Sequence, residues 1–154
     1  MKRRLMLLTL GTSLLLARLP AHAAERGTAE EAMAMAKKAI AYLKANGREK
    51  AFAEINDPRG QFTDRDLYVV VYDLNGKNLA HGQNARMIGK DLIDIRDGDG
   101  KYYMRERIEI IKTKGKGWQD YKFLDPLTKK IEPKSMYIEK YEDLIVGCGI
   151  YKPD

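Results

Sequence analysis

The sequence predicts an α+β fold in which a long N-terminal helix packs on a central five-stranded antiparallel sheet. Three features of the chain indicate it. A stretch with apolar residues at helical spacing comes first, short strand-like segments separated by turn signals follow, and the segments at 67–72 and 144–151 are apolar at nearly every position. There is no internal repeat and no low-complexity linker, so one domain is expected.

The first helix is predicted over Ala29–Asn46. Thr28 and Glu31 have the spacing of a capping box, and Gly47 provides a stop signal. A short second helix is predicted over 49–55, after a break. The methionines and alanines of the first helix are interpreted as a stripe that faces the core, in preference to a cofactor site.

Five strands and one further helix are predicted after these helices. The strands are expected at 67–72, 77–81, 118–123, 135–141 and 144–151, with the helix at 101–113. Asn75 and Gly76 are a hairpin turn signal between the first two strands. Because the first and last strands are apolar on both sides, both sheet faces should be covered, one by the first helix and the other by the connector 82–113.

A sheet face covered by an irregular connector is a favourable place for a small-molecule cavity. Gly147 and Gly149 remove side-chain bulk from one face, which fits either a cavity or the close approach of a packed helix. The chain has nine tyrosines, whose hydroxyl groups can orient a ligand. The candidate lining residues are Tyr102, Tyr103, Trp118, Tyr121, Lys134 and Tyr137.

Residues 1–23 are predicted to form a cleavable secretory signal peptide. Three basic residues at 2–4 precede an apolar stretch of about a dozen residues, well short of the roughly 20 that a membrane span needs. Ala-His-Ala at 21–23 has the small-x-small pattern of a cleavage site. The alternative is an uncleaved anchor, which Arg18 and Pro20 disfavour because they end the apolar stretch early. A periplasmic or secreted protein is therefore expected, with cleavage near Ala23.

Loss of residues 1–23 changes what the composition implies. Four of the 28 basic residues and none of the 22 acidic ones lie there, so the net charge falls from +6 to +2 and no nucleic-acid partner is indicated. The remaining chain, with one domain at 28–152, has no second apolar segment that could span a membrane. It retains one cysteine, Cys148, and one histidine, His81. Neither an internal disulfide nor a multi-histidine metal site is therefore expected, and no cofactor is expected. Asp-Gly-Asp-Gly at 97–100 lacks the other ligands of a calcium loop and is interpreted as a solvated turn.

Short motifs occur in an order that resembles a known family. They are Tyr-Asp-Leu-Asn-Gly at 72–76, Leu-Ala-His at 79–81, Ile-Gly-Lys-Asp-Leu at 88–92, Asp-Gly-Lys at 99–101, Gly-Trp-Gln-Asp-Tyr-Lys-Phe at 117–123, Asp-Pro at 125–126, Lys-Ser-Met-Tyr at 134–137 and Val-Gly-Cys-Gly-Ile-Tyr at 146–151. Their order and spacing resemble the single-Cache domains of bacterial extracytoplasmic sensing, of the second single-Cache type, over roughly residues 29–151.

The resemblance implies a PAS-like Cache fold with a cavity for a small ligand, often a small carboxylate. Family members usually lie between two membrane helices of chemoreceptors or histidine kinases, whereas this chain ends three residues after its last predicted strand. We therefore expect a free-standing periplasmic domain that binds or senses a small organic acid and is not an enzyme. The alternative is an interaction module that docks onto a membrane chemoreceptor or sensor kinase without a ligand of its own.

The residues expected to bind the ligand are Tyr121, Tyr137, Trp118, Lys134, His81, Tyr103 and Arg86. Four of them have a structural alternative that the sequence leaves open. His81 would instead hold the connector, Trp118 would fill the core beneath the helix, and Lys134 and Arg86 would be solvated. No catalytic residue and no metal ligand is expected.

Overall fold

Three helices and six strands follow one another in residues 25–152, the part of the chain that the computed structural model describes. The helices are α1 (Ala29–Asn46), α2 (Arg48–Ile55) and α3 (Tyr103–Lys114). The strands are β1 (Thr63–Asp64), β2 (Leu67–Asp73), β3 (Asn78–His81), β4 (Lys116–Leu124), β5 (Ile131–Tyr141) and β6 (Leu144–Tyr151), with a 3₁₀ turn at Ala85–Met87. The predicted signal peptide at 1–23 lies outside the described residues.

The sheet is antiparallel, with the strand order β3-β2-β6-β5-β4. This confirms the predicted central sheet of five strands. β1 adds a short pairing at the start of β2, where Thr63 lies opposite Tyr68. The sequence analysis missed β1, because a strand of two residues carries no periodicity.

α1 confirms the predicted first helix. The Thr28 hydroxyl accepts from the Glu31 amide at 3.2 Å, and the Glu31 carboxylate accepts from the Thr28 amide at 2.7 Å. The helix ends where the Gly47 amide donates to Leu43, at a φ of 79° that suits glycine. Its buried positions are Ala32, Ala36, Ala39, Ile40 and Leu43, which is the core-facing stripe that the spacing predicted.

Both faces of the sheet are covered, as predicted from the apolar strands. α1 packs on the face formed by Leu67, Val69 and Val71 of β2 and by Leu144, Val146 and Cys148 of β6. The opposite face, called the α3 face below, meets α3 and the connector and is formed by Tyr68, Val70, Tyr72, Ile145 and Tyr151. A strand's side chains alternate between faces, so each strand contributes to both cores.

Gly147 and Gly149 make room for side chains of β5, which neither of the two sequence interpretations anticipated. A Cβ on Gly147 would lie 2.9 Å from Sδ of Met136. A Cβ on Gly149 would lie 2.6 Å from the carbonyl oxygen of Ser135 and 3.0 Å from Cε of Lys134. The missing side chain of Gly149 therefore allows Lys134 to cross β6 on the α3 face.

Replacing Gly149 by alanine is expected to lower the free energy of unfolding by about 1–3 kcal/mol, since the clash includes backbone atoms that cannot move away cheaply. Urea unfolding would measure it. Gly98→Ala is the matched control, because a Cβ there would meet nothing within 4 Å, and it should change stability by less than about 0.5 kcal/mol. Equal effects of the two substitutions would contradict the packing described here.

Candidate functional site

Lys134 is a cation buried in the α3 face. Only 2% of the residue is exposed, and no acidic side chain forms an ion pair with it within residues 25–152. Its Nζ donates to the Tyr68 hydroxyl at 2.8 Å and lies 3.3 Å from the Tyr151 hydroxyl. Nζ also lies 3.9 Å from the ring centroid of Tyr68 and 4.6 Å from that of Tyr151. Aromatic rings and hydroxyl groups therefore provide the solvation that water would otherwise give.

The hydroxyl groups around Lys134 form a short chain of hydrogen bonds. The Tyr68 and Tyr151 hydroxyls lie 2.8 Å apart, and the Tyr151 hydroxyl donates to the carbonyl oxygen of Leu124 at 2.7 Å. Because the Leu124 carbonyl oxygen can only accept, the Tyr151 hydroxyl donates to it and accepts from Tyr68, so the chain runs from Nζ to Tyr68, then to Tyr151, then to Leu124. Burial lowers the pKa of Lys134 from 10.5 to about 7.

His81 lies at the end of β3, with its ring stacked on Tyr68 at a centroid distance of 5.1 Å. Its Nδ1 accepts hydrogen bonds from the amides of Gln83 and Asn84, at 3.2 and 3.0 Å. A neutral imidazole must therefore carry its proton on Nε2. Burial, reinforced by the positive charge of Lys134, lowers the pKa of His81 to about 3. At neutral pH the ring is thus an uncharged group with a hydrogen-bond donor at Nε2.

Arg107 is a second buried cation on this face. It lies in α3 and is fully buried. Nε donates to the side-chain oxygen of Gln119 at 2.9 Å, and Gln119 in turn donates to the carbonyl oxygen of Tyr103 at 2.7 Å. The guanidinium carbon lies 5.0 Å from the ring centroids of Tyr72 and Tyr121. Nη1 and Nη2 have no partner at hydrogen-bond distance and angle among the described residues.

A cavity of about 130 Å³ opens beside these groups. It is lined by Tyr68, His81, Gln83, Asn84, Phe123, Leu124, Pro126 and Lys129. Lys134 lies against two of these lining residues, with Nζ 3.9 Å from the Tyr68 centroid and 5.7 Å from the Phe123 centroid. A cavity of this size holds a ligand of up to about six non-hydrogen atoms.

Four of the seven residues that the sequence nominated come together on the α3 face. His81 and Lys134 lie at the Tyr68 ring. Tyr103 stacks on Tyr121 at 5.1 Å, and both rings lie near Phe123. Burial raises the pKa of Tyr103 to about 12, so its hydroxyl stays protonated.

The other three nominated residues lie elsewhere. Trp118 and Tyr137 pack against each other at 5.6 Å on the α1 face, and the Tyr137 hydroxyl donates to Glu139 at 2.5 Å. Their positions in β4 and β5 have the opposite parity to Tyr121 and Lys134, so they cannot share a face with those residues. Arg86 is exposed in the 3₁₀ turn.

Arg107 was missed by the sequence analysis, although a signal for it exists. It lies four residues after Tyr103 and four before Ile111, on the buried side of α3. A charged residue in an apolar helical stripe is a candidate for function, because its burial is costly. Tyr68 and Tyr151 were missed for a different reason, since only the pairing of the strands shows that both hydroxyls meet one lysine.

The family follows from comparison with known proteins. The sequence profile described as Single Cache domain 2 matches residues 21–154. The chain belongs to this single Cache domain family. The match covers nearly the whole chain, and it confirms the resemblance that the short motifs indicated. Cache domains are extracytoplasmic ligand-sensing modules of chemoreceptors and kinases.

Two relatives of this Cache domain are a sensor kinase and a chemotaxis protein from bacteria. The sensor histidine kinase MctS of Rhizobium johnstonii is 32% identical over 92 residues, which are 58% of this chain and 20% of the kinase. The methyl-accepting chemotaxis protein McpP of Pseudomonas putida is 29% identical over 93 residues, which are 59% of this chain and 17% of the receptor. The chain thus matches about a fifth of the length of these relatives.

Solved structures support the fold of the Cache domain. A methyl-accepting chemotaxis protein from Vibrio parahaemolyticus superposes with a TM-score of 0.69 at 24% identity, covering 79% of this chain and 86% of that one. A structure that addresses carboxylic acid recognition by a Cache chemosensory domain has a TM-score of 0.67 at 25% identity, with coverages of 79% and 91%. A periplasmic sensor domain of a chemotaxis protein gives 0.63 at 25% identity, with coverages of 79% and 88%.

Two other kinds of feature are absent from the described residues. No helix within residues 25–152 combines the length and apolar character needed to cross a bilayer. In the same range no three His, Cys, Asp or Glu side chains are grouped so that they could hold a metal ion. The Asp97 carboxylate instead accepts from the backbone amides of Asp99, Lys101 and Lys122 at 2.9–3.1 Å, which ties the 97–101 turn to β4.

Replacing Lys134 by methionine is expected to stabilise the Cache domain by about 1–4 kcal/mol at pH 6, where the buried ammonium group is charged and costly. The pKa of this lysine is about 7 in the folded state, against 10.5 for an unperturbed lysine. The unfolded chain therefore binds more protons between these values, and the stability of the wild type should rise with pH above 7.

Urea unfolding at pH 6, 7, 8 and 9 would test this dependence. The gain from Lys134→Met should be largest at pH 6 and should shrink towards pH 9. Lys112→Met, at an exposed position of α3, is the control and should follow the wild-type profile. A constant difference between Lys134→Met and the wild type at all four pH values would contradict the buried charge.

Proposed function

We propose that this Cache domain binds a small organic acid on its α3 face and acts outside the cytoplasm after loss of the signal peptide. The observation that carries the proposal is Lys134, a buried cation that lies beside the cavity. This lysine forms no ion pair with an acidic side chain among the described residues. A buried charge with no direct ion-pair partner is costly, since Asp66 and Asp125 act on Lys134 only from beyond ion-pair distance, and an anionic ligand would supply the missing partner.

The groups around the cavity suit a carboxylate. Lys134 and the Nε2 proton of His81, which both contact the Tyr68 ring, would donate to the carboxylate oxygens. The ring of Phe123 offers an apolar surface to a short carbon chain. The cavity of about 130 Å³ limits the ligand to roughly two to four carbons. Carboxylic acid recognition by a related Cache chemosensory domain supports this chemical class.

Arg107 would also favour an anionic ligand, from a position deeper in the α3 face. Its positive charge acts on both His81 and Lys134, lowering the pKa of each. Three positive or donor groups on one buried face repel a cationic ligand and attract an anion. We expect a ligand with one carboxylate, because Arg107 lies against Tyr121, which does not line the cavity, whereas Lys134 lies against Tyr68, which does.

The domain is proposed to sense its ligand without transforming it. The neutral His81 ring accepts two backbone amides at Nδ1, so this nitrogen is not available as a general base. A membrane sensor is the proposed partner class, since the relatives MctS and McpP are a sensor kinase and a chemotaxis receptor.

Binding of acetate, propionate, lactate, pyruvate or butyrate should be detectable by isothermal titration calorimetry at pH 7. Lys134→Met should weaken it by about tenfold to a hundredfold, because a hydrogen bond to a charged group contributes about 1.5–3 kcal/mol. Lys112→Met should bind like the wild type, and propylamine should not bind.

Two results would oppose the proposal. One is that none of the five acids binds at millimolar concentration. The other is that an acid binds equally well to the wild type and to Lys134→Met, which would place the carboxylate away from the α3 face.

A further inference from the structure

Arg26 joins the segment before α1 to two buried acids. Its guanidinium lies 2.8 Å from the Asp125 carboxylate and 3.3 Å from the Asp66 carboxylate. Both acidic side chains are fully buried, whereas the arginine side chain is 23% exposed. Two buried carboxylates would repel each other, so the intervening cation is what makes this arrangement stable.

Asp125 belongs to the turn that forms one wall of the cavity. Its chain neighbours Leu124 and Pro126 both line the cavity, as does Lys129. The Asp125 carboxylate accepts from the Leu127 amide at 2.7 Å, which shapes the turn between β4 and β5. Arg26 therefore forms an ion pair with Asp125 in the cavity wall, although Arg26 does not line the cavity itself.

Asp66 connects the same arginine to the buried lysine site. It accepts from the Gly27 amide at 2.7 Å and from the Tyr151 amide at 3.4 Å. The Tyr151 hydroxyl lies 3.3 Å from Nζ of Lys134 and donates to Leu124. The cavity wall, the buried cation and the chain segment that enters α1 thus share one set of contacts.

Close packing reinforces this connection at Gly27. A Cβ on Gly27 would lie 2.3 Å from Cγ of Leu67, so the segment before α1 lies directly against the start of β2. Movement of this segment therefore displaces the Asp66 contacts as well.

We propose that Arg26 is a positioning residue for the ligand cavity, and that occupancy of the cavity is coupled to the segment entering α1 through Asp125, Arg26 and Asp66. The inference rests on the proposed function, because it takes the cavity as the ligand site. A ligand packed on Leu124 and Pro126 favours the turn conformation described here, in which Asp125 lies against Arg26. Coupling of this kind is reciprocal. Loss of Arg26 must therefore weaken ligand binding by the same factor by which bound ligand favours the ordered contacts of residues 26–28.

The experiment combines calorimetry with hydrogen–deuterium exchange on the purified protein, using propionate as the probe. Arg26→Gln should weaken propionate binding by about fivefold. Without ligand it should also speed exchange in the turn at 124–130. Propionate should slow exchange at Gly27 in the wild type and much less in Arg26→Gln. Arg26→Lys keeps the charge and should restore most of the affinity and of the protection.

Arg65→Gln is the matched control. Arg65 holds the same segment, donating to the Arg26 carbonyl at 3.0 Å and to Glu31 at 2.9 Å, but its contacts do not include Asp125. Its replacement should speed exchange at 26–31 and leave both propionate affinity and the exchange of 124–130 unchanged. Urea unfolding of each variant would establish that it is folded under the conditions of measurement.

The outcomes separate this inference from the proposed function. If the wild type binds propionate but Arg26→Gln binds it equally well, or if Arg26→Gln leaves exchange at 124–130 unchanged, the inference is overturned and the acid site stands. If Arg65→Gln weakens propionate as much as Arg26→Gln does, the effect is general loosening of the segment and the inference also fails. If the wild type binds no propionate, the coupling to this ligand class is overturned, and the other four acids decide the proposed function.

Discussion

Burial of the Lys134 ammonium group is the interaction on which the arrangement of the α3 face depends. The side chain reaches the interior only because Gly149 leaves room for it to cross β6. Once inside, it requires the hydroxyl groups of Tyr68 and Tyr151 and the faces of their rings, since no acid pairs with it among residues 25–152. Strand pairing brings these three residues together, because Lys134 lies opposite Tyr151 and β2 lies beside β6.

The two faces of the sheet differ in chemistry, since the α1 face is largely apolar whereas the α3 face buries charged and polar groups. The α1 face is built mainly from aliphatic side chains and alanines, with a few aromatic rings, and these supply the favourable burial that a domain of this size needs. The α3 face contains Lys134, Arg107 and His81, and burial lowers the pKa of the lysine and the histidine. The two buried cations, Lys134 and Arg107, reduce stability in the ligand-free protein, and burial of the largely apolar α1 core offsets that cost.

Local signals in the sequence were sufficient to predict most helices and strands. Prediction of the site also required knowledge of how the strands pair. The bounds of α1 follow from a capping box and a glycine stop, both of which act within a few residues. Which residues meet at the site depends on strand parity and on a long-range contact between β2, β5 and β6. Trp118 and Tyr121 are only three positions apart in β4, yet they belong to opposite faces. Arg107 could have been found, because its helical spacing alone places it on the buried side of α3.

The most direct test is the titration of Lys134 itself, followed by NMR of protein with ¹³C-labelled lysine and assigned through Lys134→Met. We expect the pKa of Lys134 to be near 7 in the ligand-free protein. An acid that binds should raise this pKa, because a carboxylate beside the amine favours its charged form. Two results would contradict the claim that this buried cation binds an anionic ligand. One is a pKa near 10 in the free protein, and the other is a pKa that stays the same when an acid is bound.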